Sequence, residues 1–156
     1  MRISDILLEK GTNVVTIDSQ KSIHEAIGRL SENRIGALIV TSEGEGAAGI
    51  ITERDILRKC GERCGAVKDS NVSGETVCSS LVEDAMTKEL VVGAPSDDPN
   101  YVMGVMTEKR IRHLPIMDEG NLVGIVSIGD LVNAHLEEMV FKGQTLKDYL
   151  ARNSSP

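Results

Sequence analysis

GIITERD, residues 49–55, and GIVSIGD, residues 124–130, are two copies of one pattern in this chain. Each copy runs from a glycine through an apolar stretch to a hydroxyl residue, with an aspartate three residues further on. Apolar runs rich in isoleucine and valine are typical of buried strands, and a Ser or Thr followed three residues later by an acidic residue is typical of a helix start. The recurrence therefore predicts an internal repeat with a strand-to-helix junction in each copy.

The residues before each copy also match. RIGALIV at 34–40 corresponds to RIRHLPI at 110–116, and the second stretch lies one residue closer to its GIVSIGD segment. Such length differences belong in loops, so each half is predicted to contain a hairpin that leads into the junction. Gly44, Gly46 and Gly49 have the G-x-G-x-x-G spacing of a dinucleotide site, but strands are predicted on both sides of them, which favours a hairpin loop.

Each half also begins with a predicted strand and helix. Residues 14–17 read as a strand, and residues 22–30 have helical apolar spacing behind a Ser22/Glu25 capping box. In the second half residues 90–92 read as the strand, and Asp98-Pro99 starts a helix that carries Val102, Met103 and Met106. Both halves are thus predicted as β-α-β-β-α units in a mixed α/β (α+β) fold.

The predicted boundaries follow from these elements. Residues 1–64 form the first repeat and residues 81–140 the second, joined by a connecting loop at 65–80 that is rich in Gly, Ser, Asp and Asn. Residues 141–156 continue the last helix as a tail. Because one half has little core of its own, we expect the two to pack around a pseudo-two-fold axis.

Composition narrows the possible partners. The 156 residues carry a net charge of −7 with two Tyr, one Phe and no Trp, which argues against a nucleic-acid partner. No apolar run approaches the roughly 20 residues of a membrane helix, and the first residues lack the features of a signal peptide. A cytoplasmic protein with no membrane partner is expected.

The cysteines do not predict a metal site or a disulfide framework. Their number, three, is odd, and Cys60 and Cys64 have no matching second pair among Cys78 and the three histidines. Reduced thiols without a metal are therefore predicted.

The two junctions carry groups that suit a nucleotide. A helix N-terminus favours phosphate, and an ionised Asp accepts hydrogen bonds from the two hydroxyls of a ribose. Arg54 lies beside Asp55 as a phosphate partner. The same Thr/Ser-x-x-Asp spacing also describes a helix-capping box, so a purely structural role stays open.

The tandem arrangement resembles a pair of CBS domains, the module named after cystathionine β-synthase. The resemblance lies in GIITERD, GIVSIGD, RIRHLPI and the introducing segment VEDAMT at 82–87, and it covers about residues 1–140. It implies a disc-like module with two clefts that hold adenosyl ligands such as AMP, ADP, ATP, NAD or S-adenosylmethionine, and it implies a homodimer. No cofactor is required.

The resemblance also implies roles for individual residues. Asp55 and Asp130 would hold ribose, and Thr52 and Ser127 would bond near the ribose and phosphate. The opposite repeat would complete each cleft: the Asp55 ligand would face Arg112 and His113, and the Asp130 ligand would face Thr16, Gly36 and Ala37.

Two departures make the predicted clefts unequal. Gly129 stands where the first half has Arg54, and Ile39 stands where the second half has Pro115. We therefore expect a phosphorylated ligand to bind more tightly in the Asp55 cleft. His113 is either a phosphate contact or a strand histidine.

A regulatory nucleotide sensor that signals to an unknown effector protein is the favoured function. The alternative is a structural dimerisation module whose motifs act only as helix caps. An enzyme is not predicted, since no catalytic set follows from the spacing. Apolar residues on the last helix are expected to extend the dimer contact: Leu136, Met139, Phe141, Leu146 and Leu150.

Overall fold

A computed structural model of the chain describes residues 1–44, 46–66 and 75–153. The chain divides into two compact units. The middle unit is Asn13–Val91, and the split unit combines Met1–Thr12 with Val92–Pro156. The mixed α+β fold with two repeats is confirmed, whereas the packing of the repeats into a disc stays a prediction. The boundaries at 1–64, 65–80, 81–140 and 141–156 also stay predictions.

A three-stranded sheet forms the framework of the middle unit. Strand β1 (Thr16–Asp18) is parallel to β2 (Ala37–Ser42), which is antiparallel to β3 (Gly46–Thr52). β1 starts two residues later than the sequence predicts. The hairpin prediction is confirmed, since Gly44 and Gly46 supply the positive φ angles (81° and 65°) that the turn requires.

The helices of the middle unit cover this sheet. Helix α2 (Ile23–Asn33) starts at the N-cap Ser22, whose Oγ accepts a hydrogen bond from the Glu25 N–H at 3.2 Å. Helix α3 (Glu53–Ala66) follows β3 directly. The core consists of apolar side chains from these elements: Ile17, Ala26, Leu30, Leu38, Val40, Ile51 and Val82.

The region predicted as a connecting loop contains a short helix, α4 (Glu75–Cys78). Its Val77 is 5% exposed, so the helix adds an apolar side chain to the core. A 3₁₀ turn, Val82–Asp84, follows. Residues 67–74 of the predicted loop lie outside the described residues.

The split unit repeats this plan with a reduced sheet. Strands β4 (His113–Asp118) and β5 (Asn121–Ser127) form the predicted hairpin between helices α5 (Pro99–Lys109) and α6 (Ile128–Asn153). The predicted N-cap of α5 is confirmed, since Asp98 accepts hydrogen bonds from the N–H groups of Asn100 and Tyr101. Helix α1 (Ile3–Lys10) completes the unit.

The strand predicted at residues 90–92 is wrong. Only a parallel bridge between Gly93 and Ile116 is present. In the middle unit the Ile39 N–H donates to the Val15 carbonyl at 3.3 Å, but the corresponding residue of β4 is Pro115, which has no N–H to donate. The parallel ladder therefore cannot continue toward residues 90–92.

The segment that introduces each repeat packs on the hairpin of the other repeat's unit. Leu7 of α1 lies against Gly124 on β5, where a Cβ would meet Leu7 Cδ2 at 2.7 Å. Met86 and Thr87 lie against Gly49 on β3, where a Cβ would meet the Thr87 carbonyl oxygen at 2.7 Å. Each glycine of the repeated motif therefore makes room for an introducing segment.

Over the described ranges, no helix combines the length and the apolar character needed to cross a membrane.

Candidate functional site

The two strand-to-helix junctions have the same backbone hydrogen bonds. At the start of α3 the Glu53 N–H donates to the Gly36 carbonyl at 3.2 Å, and at the start of α6 the Ile128 N–H donates to the Arg112 carbonyl at 3.0 Å. The third N–H of each helix donates to the hydroxyl of Thr52 or Ser127. The first and third N–H groups of each helix are therefore already bonded within the protein, which leaves fewer backbone donors for a phosphate and gives side-chain partners more weight.

Asp55 is buried and bonded at both carboxylate oxygens. The residue is 4% exposed, and Oδ2 accepts hydrogen bonds from the N–H and the hydroxyl of Thr52, both at 2.8 Å. Oδ1 accepts from the hydroxyl of Thr87 at 3.2 Å and from the guanidinium of Arg58 at 2.5 Å. The carboxylate therefore ties α3 to the introducing segment of the second repeat.

Asp130 has the same cap but an open oxygen. Oδ2 accepts from the N–H and hydroxyl of Ser127, at 2.7 and 2.8 Å, and from Lys10 Nζ at 2.5 Å. Within the part of the chain that the structure describes, Oδ1 accepts no hydrogen bond, and the side chain is 23% exposed. The carboxylate can thus accept hydrogen bonds from a ligand without losing its cap.

The pKa of Asp130 lies below its ordinary value. Partial burial raises the pKa, but the hydrogen bonds from Lys10 and Ser127 and the charge of Lys10 lower it by more. The side chain is consequently an ionised acceptor at neutral pH.

The other predicted residues of the middle unit lie at one edge of its sheet. Ala37 pairs with Thr52, and Gly36 precedes Ala37. Thr16 starts β1 at the same edge, where its carbonyl accepts a hydrogen bond from the Arg29 guanidinium. Arg54 is exposed in the first turn of α3.

The predicted residues of the split unit also lie together. His113 starts β4 opposite Ser127 and is half-buried, and Arg112 precedes it with an exposed side chain. Asp130 follows one turn into α6. The structure thus gathers the predicted residues of each repeat within one unit, whereas the predicted clefts, which combine residues of opposite repeats, stay predictions.

Three residues at the junctions were missed by the sequence analysis: Lys10, Arg58 and Thr87. Arg58 lies one helical turn after Asp55, so this ion pair could have been predicted from the helical spacing of the two residues. Lys10 and Thr87 come from the introducing segments, and their contacts depend on tertiary packing that no local pattern reveals.

The structure also bears on the cysteines. Across residues 1–44, 46–66 and 75–153, no group of three or more His, Cys, Asp and Glu side chains is arranged to hold a metal ion. Cys60 and Cys78 are free thiols, and the side chain of Cys64 lies outside the described set.

A small cavity of about 160 Å³ lies in the split unit between α5 and α6. Its lining includes Asp98, Met103, Leu131 and His135. It includes none of the residues that the sequence predicts as a ligand site, so the junctions remain the candidate site.

Comparison with known proteins connects this geometry to a family. The sequence model of the CBS domain matches residues 3–62 and 82–137. The chain is 34% identical to the mitochondrial CBS domain-containing protein CBSX3 of Arabidopsis thaliana, over 95% of this chain and 71% of that protein. It is 33% identical to the CBS domain-containing protein YhcV of Bacillus subtilis, over 77% of each.

Solved structures agree with the sequence comparison. The CBS-domain containing protein ATU1752 of Agrobacterium tumefaciens superposes with a TM-score of 0.77 at 36% identity, covering 86% of this chain and 92% of that one. The CBS domain pair of protein MJ0100, solved with 5′-methylthioadenosine and S-adenosyl-L-methionine, superposes with a TM-score of 0.72, covering 88% of this chain and 98% of that one. Because that pair is 23% identical, it shows a common fold.

Proposed function

The chain belongs to the CBS domain family, and from that membership we propose that it is a regulatory module that binds an adenosyl ligand and passes the signal to a protein partner. The observation that carries the proposal is the carboxylate of Asp130, which is ionised, held in place by Ser127 and open at Oδ1. A fixed anionic acceptor at a helix start suits the hydroxyl groups of a ribose.

The expected hydrogen bonds favour a ribose at this carboxylate. A hydrogen bond from a ribose hydroxyl to an ionised carboxylate contributes about 1.5–3 kcal/mol. Preorganisation adds to this, because the cap fixes the carboxylate before the ligand arrives. The MJ0100 pair, which shares the fold, was solved with two adenosyl compounds, so the fold is compatible with this ligand class.

Regulation would follow from a change in the relative populations of two arrangements of the repeats. A ligand that contacts both repeats would favour the arrangement to which it binds better, and a partner protein would recognise that arrangement. We propose no catalytic activity for the module. AMP, ADP, ATP and NAD are the candidate ligands together with S-adenosylmethionine, and cytoplasmic location stays a prediction beside a relative described as mitochondrial.

Thermal denaturation with a ligand panel tests the proposal. A ligand at 100 times its dissociation constant adds about 2.7 kcal/mol to the unfolding free energy, so one adenosyl compound is expected to raise the midpoint clearly. Asp130→Asn, which retains an oxygen for the Ser127 cap but loses the charge, is expected to abolish that rise. Adenosine, AMP, ADP, ATP, NAD, NADH and S-adenosylmethionine form the panel, and inosine serves as the base control.

A structural module is the second candidate, and Asp55 favours it. Both oxygens of that carboxylate bond within the middle unit, so Thr52 and Asp55 act there as a helix cap. If no compound of the panel stabilises the protein while Thr52→Ala destabilises it by about 1 kcal/mol or more, the module is structural.

We also propose a second copy of the chain as a partner of α6. The buried side of this helix carries Leu131 and Ala134, while Val132, Leu136, Met139 and Val140 on other faces are each at least 43% exposed. Phe141 is 70% exposed, and the side chains of Leu146 and Leu150 lie outside the described set. Apolar residues spaced by four and three positions suit helix pairing.

Sedimentation tests this contact. A chain ending at Glu138, or the full chain with Leu136→Lys and Met139→Lys, is expected to lose the dimer. Asn133→Lys, an exposed change on the same helix, is the matched control and should sediment as the unchanged protein does. If the protein remains a dimer after each of these changes, α6 is not part of the dimer contact.

A further inference from the structure

Helix α1 is held in a position that places the ammonium group of its last residue, Lys10, beside Asp130 at the second junction. The N–H groups of Ile3 and Ser4 donate to the carbonyls of Asp97 and Pro95, at 3.1 and 2.9 Å. Leu7 is 4% exposed and packs against Gly124. Lys10 follows one helical turn after Leu7, so the packing of α1 fixes where the lysine stem begins.

From that position Lys10 supplies a cation to the site. Its Nζ lies 2.5 Å from Asp130 Oδ2, and the lysine side chain is 32% exposed. An ammonium group has three N–H donors, of which Asp130 takes one. No other acceptor among the described residues takes a hydrogen bond from this group, so the remaining donors and the positive charge are available to a ligand that binds beside Asp130.

The position of the middle unit that corresponds to Lys10 is not a lysine. When Arg2 is aligned with Leu81 and Asp5 with Asp84, which form matching N-terminal hydrogen bonds, Lys10 falls opposite Glu89. In that unit the cation on the carboxylate is Arg58, from the same helix. The split unit instead takes its cation from the introducing segment.

We infer that Lys10 makes the Asp130 site selective for phosphorylated adenosyl ligands over S-adenosylmethionine. This inference rests on the proposed function. The phosphate of a nucleotide would take the two unused donors of Lys10, while its ribose hydroxyls would donate to Asp130 Oδ1. The sulfonium of S-adenosylmethionine would instead meet a like charge. Lys10 thereby takes the place of the phosphate partner that Gly129 cannot provide.

A solely structural role for the lysine is disfavoured by its exposure. Ion pairs that remain partly open to water contribute little to stability, so Lys10→Met should leave the fold intact. The α1 anchors, at Ile3 and Leu7, do not involve the ammonium group.

Calorimetry with AMP and S-adenosylmethionine tests the inference. The unchanged protein is expected to bind AMP more tightly, and Lys10→Met should weaken AMP binding about tenfold or more without weakening S-adenosylmethionine binding. Lys10→Arg should retain the preference for AMP. Lys142→Met, which removes another lysine paired with a carboxylate of the same unit, is the matched control.

Each other outcome has a definite meaning. If Lys10→Met weakens the binding of both ligands equally, or leaves the ratio of their two dissociation constants unchanged, the role of Lys10 is overturned and the proposed function stays in place. Full AMP binding by Asp130→Asn overturns both the role of Lys10 and the assignment of the ligand to Asp130, since the ligand would then occupy the other junction. If the unchanged protein binds no compound of the adenosyl panel, the proposed function fails and the inference fails with it.

Discussion

The two junctions share a motif and differ in what surrounds its carboxylate. Asp55 is 4% exposed with both oxygens bonded inside its unit, whereas Asp130 is 23% exposed and keeps one oxygen open. The partners come from different places, since Thr87 and Arg58 hold Asp55 and Lys10 holds Asp130. One motif can therefore serve mainly as a structural link in one unit and stay available to a ligand in the other.

The largest expected difference is in stability. Asp55→Ala is expected to lower the unfolding free energy by about 3 kcal/mol, because it removes a helix cap and leaves the Thr87 hydroxyl without its acceptor. Asp130→Ala removes a cap at a more solvent-exposed site and should lower the unfolding free energy by about 1 kcal/mol. Urea denaturation of the two variants measures both values. Equal losses would contradict the division of roles between the junctions.

The glycines of the two motifs offer a second comparison. Gly49→Ala is expected to cost about 2 kcal/mol, since its Cβ would lie 2.7 Å from the rigid carbonyl oxygen of Thr87. At Gly124 the atom at 2.7 Å is Leu7 Cδ2, the end of a flexible side chain that can move aside. Gly124→Ala should therefore cost less than about 1 kcal/mol, helped by the lower chain entropy of the unfolded state. Denaturation midpoints measured side by side test the ranking, and a larger loss at Gly124 would contradict it.

These differences mark what sequence alone can predict. The hairpins, the helix starts at Ser22 and Asp98 and the two capping carboxylates follow from local patterns, because neighbouring residues form their hydrogen bonds. The missing strand at residues 90–92 has a local cause in Pro115, but only the register of the sheet shows which hydrogen bond is lost. When the two repeats are compared in sequence, Gly129 stands where the first repeat has Arg54. That difference predicts tighter phosphate binding in the Asp55 cleft.

The contacts of Lys10 and Thr87 could not be predicted in that way. Each residue belongs to a segment that precedes one repeat and packs on the other repeat's unit, so the relevant neighbour lies far away in sequence. In the first half the segment is a helix, α1, whereas in the second it is a 3₁₀ turn followed by a bridge between Thr87 and Ile50. This difference brings a lysine to one carboxylate and a threonine to the other.

The smallest expected effect concerns the titration of Asp130. Its pKa is lowered in the folded protein, so its contribution to stability is complete above the unfolded-state pKa and is lost as the pH falls through the folded-state pKa. Lys10→Met should raise the Asp130 pKa toward its ordinary value, because the Ser127 hydrogen bonds remain while the lysine charge is gone. Carboxyl-carbon NMR titration of both proteins measures the shift, with Asp98, whose pKa is lowered by the N–H groups of Asn100 and Tyr101, as the internal control. If the Asp130 pKa does not move while Asp98 stays constant, Lys10 does not pair with the carboxylate in solution, and the cation that distinguishes this junction must be sought elsewhere.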